Sequence, residues 1–339
     1  MQDFLAELLA WVMIALFCGA LLLAVRLSLG HTLRPLLPVQ RHRAVPWTGA
    51  EILLALFLVL LFWPTVFEQV LIQIHFFSWL YGPDFPLSPT IEDPVAIARR
   101  GLWVGAFALP CDVVTILVLL RAGSGTRAYQ LGLACRRAAA DIACGCIGWL
   151  IVTPVVLVLN LIATVCYELI SGSEAHPHPL TLLMSNGALP VEWAVAVYTA
   201  VIAAPVLEEL VFRGMIQFWL ARQPWAANVA VAGAFALAAL RWAAQGPGPA
   251  LFVVAMLPGY LFIEPLSRKW LPDPRTARAL YSTALLFAAS HSFAWPTPIA
   301  LFVLGLGLGY VAHRSQSLIG PIVWHGLFNG MTCLALALS

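Results

Sequence analysis

The chain reads as an all-α, polytopic membrane protein, a transmembrane helical bundle of about eight to ten spans. Three observations carry that reading. Of 339 residues, 61% are hydrophobic and 10% charged, where a soluble domain carries about 25% charged residues. A mean hydropathy of +0.89 leaves too little polar surface to cover a core, so the solvent of this chain is lipid. Its apolar runs approach the roughly 20 residues that cross a hydrocarbon core, and they are continuous rather than alternating, which excludes a β-barrel.

In order, spans are expected at 5–25, 50–73, 102–121, 143–169, 192–220, 227–244, 250–266, 278–294, 297–313 and 318–338. Segments 227–244 and 297–313 are short, which suits tilted, half-inserted or bundle-buried helices. Turn chemistry separates several spans: Gly246-Pro247-Gly248-Pro249, Leu271-Pro272-Asp273-Pro274 and Trp295-Pro296-Thr297-Pro298. The longest polar connections, near 74–98 and 170–190, are short enough to cap a bundle, and no soluble domain is expected. Met1-Gln2-Asp3 and Glu7 do not make the basic start of a secretory signal, so the first span is expected to be retained.

The arginines orient the bundle. Counting spans, Arg26 to Arg43, Arg121 to Arg137, Arg222, Arg268 to Arg278 and Arg314 fall on one side; Asp84, Glu92, Asp93, Glu174, His176 and His178 fall on the other. The positive-inside bias makes the arginine side cytoplasmic and puts both termini outside, with Arg99 and Arg100 as exceptions. These arginines are short caps on apolar spans without interleaved aromatics, so no nucleic-acid partner is expected. The seven cysteines (Cys18, Cys111, Cys135, Cys144, Cys146, Cys166, Cys333) form no C-x-x-C pair and read as small packing residues.

Chemistry concentrates in the C-terminal third. Glu208 and Glu209 lie within a long apolar segment, and an ionised side chain at bilayer depth costs at least about 2.5–3.5 kcal/mol without a partner. Glu209 and Arg213 are four apart, on one helix face, and read as a pair that orders the helix. Glu208 has no such cation on its own helix. A desolvated carboxylate of that kind suits a general base, but a purely structural ion-pair network is equally open on this segment alone.

His291 ends the apolar run Leu285-Leu286-Phe287-Ala288-Ala289-Ser290, and His325 shares a face with Asn329 by its i, i+4 spacing. Each histidine alone is an ordinary packed or interfacial residue. Three helices that each bury polar groups without a local partner are explained together if they converge. At about 1.5 Å per residue, Glu208 and His291 lie roughly 20 Å from the cytoplasmic ends of their helices and His325 roughly 10 Å, which does not oppose a shared site.

Glu208-Glu209-x-x-x-Arg213, Phe287-x-x-x-His291 and His325-x-x-x-Asn329, in that order, resemble the three motifs of the CAAX protease and bacteriocin-processing family of intramembrane endopeptidases. The resemblance covers about 190–335. It implies that Glu208 activates a water with help from His291, that His325 and Asn329 stabilise the oxyanion, and that Glu209 and Arg213 support them. It further implies a CAAX-protease-like core in the C-terminal part, a membrane-associated protein or peptide as substrate, lipid as surroundings, and residence in a bacterial inner (cell) membrane. No cofactor is expected from a metal-free glutamate–histidine mechanism; zinc on Glu208, His291 and His325 is the alternative, although no H-E-x-x-H occurs.

The interval from Glu209 to His291 is longer than the family's. We therefore divide the chain into 1–189, N-terminal transmembrane helices, and 190–339, the catalytic core with an inserted helical pair near 227–266. Two other functions are weighed: an inactive scaffold or immunity-type protein retaining the polar cluster, and a carrier using carboxylates and histidines as a relay. No inverted repeat between the halves supports the carrier.

Overall fold

A backbone in hydrocarbon must satisfy its own hydrogen bonds, and helices do so within one segment. The computed structural model describes residues 10–21, 25, 43–86, 93–269, 271 and 273–338, and the regular structure among them is helical, with no strand. The principal helices are α1 (Ala10–Leu21), α2 (Gly49–Gln73), α3 (Pro94–Gly123), α4 (Cys135–Ser171), α5 (Pro190–Arg222), α6 (Pro224–Ala239), α7 (Gly248–Leu261), α8 (Pro274–Ser290), α9 (Pro298–Ser315) and α10 (Ile319–Leu336). Six of them, α2 to α5 with α9 and α10, are long and apolar enough to cross a membrane. Each expected span has its helix, except that the ends of the first one, 5–9 and 22–24, lie outside the described residues.

Helix ends follow local chemistry. α3 starts at Pro94, eight residues before the expected 102, because Asp93 caps it and accepts the Ala96 N–H at 2.9 Å. α8 starts behind Asp273, whose carboxylate takes the Arg275 N–H and the Thr276 hydroxyl. α6 stops at Ala239, and a four-residue helix, Trp242–Gln245, leads to Gly246 at φ 67°, a left-handed position that favours glycine. α7 ends at Leu261 and gives way to the short helix Ile263–Ser267, where Glu264 pairs with Arg278 of α8 at 2.6 Å.

α8 is the central post of the C-terminal half. It is buried almost continuously from Thr276 to Ala289 and packs against α6 and α9, while α4 backs α9 and α10. Lipid tails are as apolar as leucine, so association depends on close contact rather than on hydrophobic transfer. Small residues permit it: a Cβ on Gly145 of α4 would lie 2.4 Å from the Gly320 carbonyl oxygen of α10. All seven cysteines are free.

The two arginines on the acidic side are both paired. Arg99 meets Glu192 at 3.1 Å and Arg100 meets Glu68 at 2.5 Å, so each cation has a local counter-charge.

Candidate functional site

α5 is not a regular α-helix. Residues Thr199–Ala203 and Glu209–Ile216 form wide π turns, with Ala204–Glu208 between them. Turns of this kind are rare and recur at functional sites. Here the second one begins immediately after Glu208, so the two adjacent carboxylates leave the helix in different surroundings.

Glu209 is fully buried and shared. Its Oε1 accepts from Arg213 Nη1 and from His325 Nδ1, both at 2.9 Å. Arg213 is also fully buried, donates to the Gly305 carbonyl at 3.4 Å, and lies 4.3 Å above the Phe287 ring. Glu209 therefore orders its own helix, as its spacing implied, and also aims a histidine of α10.

Glu208 is different. Its side chain is 25% exposed, and its Oε2 lies 3.8 Å from His291 Nε2 and 3.9 Å from His325 Nε2. That oxygen is itself buried and has no hydrogen-bond partner among the described residues.

Each ring is held from behind. His291 closes α8, with Nδ1 2.9 Å from the Phe287 carbonyl and 3.2 Å from the Ser290 hydroxyl. A carbonyl only accepts, so Nδ1 carries the proton and Nε2 presents its lone pair toward Glu208. The same logic applied to the Glu209 carboxylate puts a proton on His325 Nδ1. Phe287 forms the common floor: its ring centroid lies 4.8 Å from that of His291 and 5.8 Å from that of His325.

Asn329 sits one turn beyond His325, anchored elsewhere. Its Nδ2 donates at 2.8 Å to the Ala200 carbonyl, in the first wide turn of α5. An amide carries two N–H donors, so one remains for another acceptor. The structure thus brings Glu208, Glu209, Arg213, His291 and His325 together and places Asn329 at their edge. Ser290 and Ala200 were not foreseen as participants. Ser290 could have been suspected from its place beside His291, whereas a main-chain carbonyl leaves no mark in sequence.

The spacing bears on the alternative of zinc. Tetrahedral zinc with N and O ligands at about 2.0–2.1 Å sets ligand atoms about 3.3–3.4 Å apart. Glu208 Oε2 and the two Nε2 atoms are wider than that, at 3.8 and 3.9 Å. A water about 2.8 Å from two of these atoms at the tetrahedral angle sets them about 4.6 Å apart, so the observed spacing falls between the two cases.

An apolar groove of about 430 Å³ runs between α1, α4, α5 and α10. Val201 and Val206 line it from α5, and Gly326 and Leu327 from α10. It shares α5 and α10 with the site, but its lining does not include the site residues.

The Rce1-like family, described as type II CAAX prenyl endopeptidase, matches residues 190–265 and 259–331. The matched segment contains all six candidate site residues. No curated protein and no solved structure matches the chain.

Proposed function

We propose, from the premise that the C-terminal region of this chain is an Rce1-like CAAX endopeptidase domain, that the protein is an intramembrane endopeptidase hydrolysing a peptide bond of a membrane-associated protein or peptide. The observation that carries the reading is the Glu208 oxygen, without a hydrogen-bond partner among the described residues, facing two imidazole nitrogens at 3.8 and 3.9 Å.

The chemistry follows from the donors and acceptors. A water between Glu208 and His291 gives its proton to the Glu208 carboxylate while its oxygen attacks the scissile carbonyl. His291 accepts from the same water through Nε2 and holds the lone pair toward the substrate. The carbonyl oxygen gains negative charge and needs N–H donors. With Nδ1–H committed to Glu209, His325 donates from Nε2 when both its nitrogens are protonated, and the free N–H of Asn329 is the second donor. The intermediate collapses as Glu208 passes its proton to the leaving amide nitrogen, which breaks the C–N bond and regenerates the carboxylate. Glu209 and Arg213 fix the position of His325.

The apolar groove on the helices that carry Glu208 and His325 suits an apolar anchor of the substrate within the bilayer. We assign 1–189 to N-terminal transmembrane helices and 190–339 to the catalytic core, with α6 and α7 as an inserted pair near 227–266. A pair of helices returns the chain to the side it left and preserves the orientation of α8. The bacterial inner membrane is the assigned location.

The test is cleavage of membrane-associated peptides by purified protein in liposomes. Glu208→Gln and His291→Ala lose cleavage while melting as the parent does. Cleavage retained by folded Glu208→Gln sinks the mechanism. Cellular function surviving loss of both Glu208 and His325 would instead point to a non-proteolytic role.

A further inference from the structure

A second cavity, of about 600 Å³, lies at the arginine-rich end of the bundle, away from the glutamate–histidine cluster. It opens where α4 and α10 begin and α9 ends, with the stretch preceding α2 on its wall. These are helix termini, the depth at which lipid phosphates lie.

Three guanidiniums line it: Arg43, Arg136 and Arg137. Asp141, four residues after Arg137, is the one acidic side chain on its wall among the described residues. Three cations against one carboxylate leave a net charge of +2 around the cavity.

Arg43 is built in rather than draped over the surface. Its guanidinium lies 4.2 Å above the Phe218 ring, its Nη1 donates to the Gln130 carbonyl at 3.3 Å, and its main-chain N–H donates to the Gln316 side chain at 3.1 Å. The loop before α4 makes room for it. Gly132 has φ 88°, and a Cβ there would stand 2.2 Å from Arg43 Nη1. Two more nitrogens, Nε and Nη2, are buried with no acceptor among the described residues. Burial pushes the guanidinium down to about 9, which leaves it charged at neutral pH. A buried cation with two unused donors, in a cavity lined by two more, lacks an anion among the described residues. Ser317 adds a hydroxyl, whose Oγ accepts the Ile319 N–H and which also carries a proton to donate.

We propose that this cavity is a binding site for a phosphate group, with Arg43 as its floor and Arg136 and Arg137 as its rim. Basic pockets between transmembrane helices recognise anionic headgroups by this chemistry, and a phosphate accepts the paired donors that a guanidinium presents. The site is separate from the proposed catalytic residues, so its occupancy acts on stability whether or not the protein cleaves peptides.

The experiment is the thermal melting of full-length protein in nanodiscs of phosphatidylcholine, with and without phosphatidylglycerol, and in phosphatidylcholine with added inorganic phosphate. The expected result is a rise of at least about 2 °C with phosphatidylglycerol. Arg136→Gln/Arg137→Gln, both exposed in the fold, abolishes the rise, while Arg121→Gln/Arg127→Gln, on the same face but outside the cavity, keeps it. A rise with inorganic phosphate alone assigns the site to a soluble anion; a rise with phosphatidylglycerol alone assigns it to a headgroup. No rise with either, a rise that survives in the first variant, or equal loss in both variants overturns the proposal. Gly132→Ala, which displaces Arg43 without removing charge, should weaken the response in the same direction.

Discussion

Glu192 and Glu208 sit on the same helix, α5, in opposite surroundings. Glu192, one turn from the start, is completely enclosed: the Tyr81 hydroxyl donates to it at 2.5 Å, Arg99 at 3.1 Å and the Leu189 N–H at 2.6 Å. Trp103 in turn donates to Tyr81 at 2.8 Å. Every strong acceptor there is used, so nothing is left to bind or react. Glu208 keeps a buried oxygen without a partner and a quarter of its side chain open. Burial alone does not distinguish a structural carboxylate from a reactive one. Unused hydrogen-bonding capacity, aimed at other titratable groups, does.

The contrast can be broken in order of effect. Glu208→Gln should lower cleavage by about 10²–10⁴-fold, the usual contribution of a positioned general base, with an unchanged melting temperature. Glu192→Ala should do the reverse. It strands Arg99 and the Tyr81 hydroxyl and should cost about 3 kcal/mol, the low end for a broken buried pair because Arg99 is partly exposed, while cleavage per folded molecule persists. Denaturation in detergent alongside a turnover assay separates the two.

Tyr81→Phe removes one hydrogen bond to the Glu192 carboxylate and should cost about 1.5 kcal/mol, again without loss of activity. Ser290→Ala removes one of two contacts behind His291 and should slow cleavage by about fivefold, since the Phe287 carbonyl still holds the ring. A larger loss would make Ser290 more than a positioning residue.

The smallest effect concerns pH. His178, in the loop before the short helix Pro179–Ser185, accepts the Leu180 N–H through Nδ1 and faces Phe293, which in turn faces His291. The His178 side chain keeps contact with solvent, yet desolvation by the groups packed around it, and then the charge of His291, push it down to about 4. A histidine whose folded value lies below its unfolded one contributes stability above about pH 6.5, and loses it as pH falls toward 4. His178→Asn keeps a capping acceptor and should flatten the acid side of a melting-temperature profile between pH 7 and 5. An unchanged profile would remove this histidine from the account.

Legibility in the sequence differed by residue. Glu209 with Arg213 could be read because four residues on one helix is a local relation. Glu209 with His325 could not, because 116 positions separate them and only the packing of α5 on α10 makes them neighbours. The role of Glu209 was thus half visible: the helix-ordering pair, but not the grip on the imidazole. Asn329 was identified on the face of His325, yet its anchor is the Ala200 main chain in a wide turn that no residue type announces. The paired state of Arg99 and Arg100 was hidden for the same reason, since Glu192 and Glu68 come from other helices.

What the amino-acid order determined by itself is the helical membrane character of the chain and the approximate positions of its apolar helices. Transfer free energy and backbone hydrogen bonding act residue by residue and turn by turn, so a linear reading captures them. Which glutamate is spent and which is free was decided only by tertiary structure. That distinction rests on whether donors from distant helices arrive within about 3 Å of a given oxygen, and such distances are set by packing.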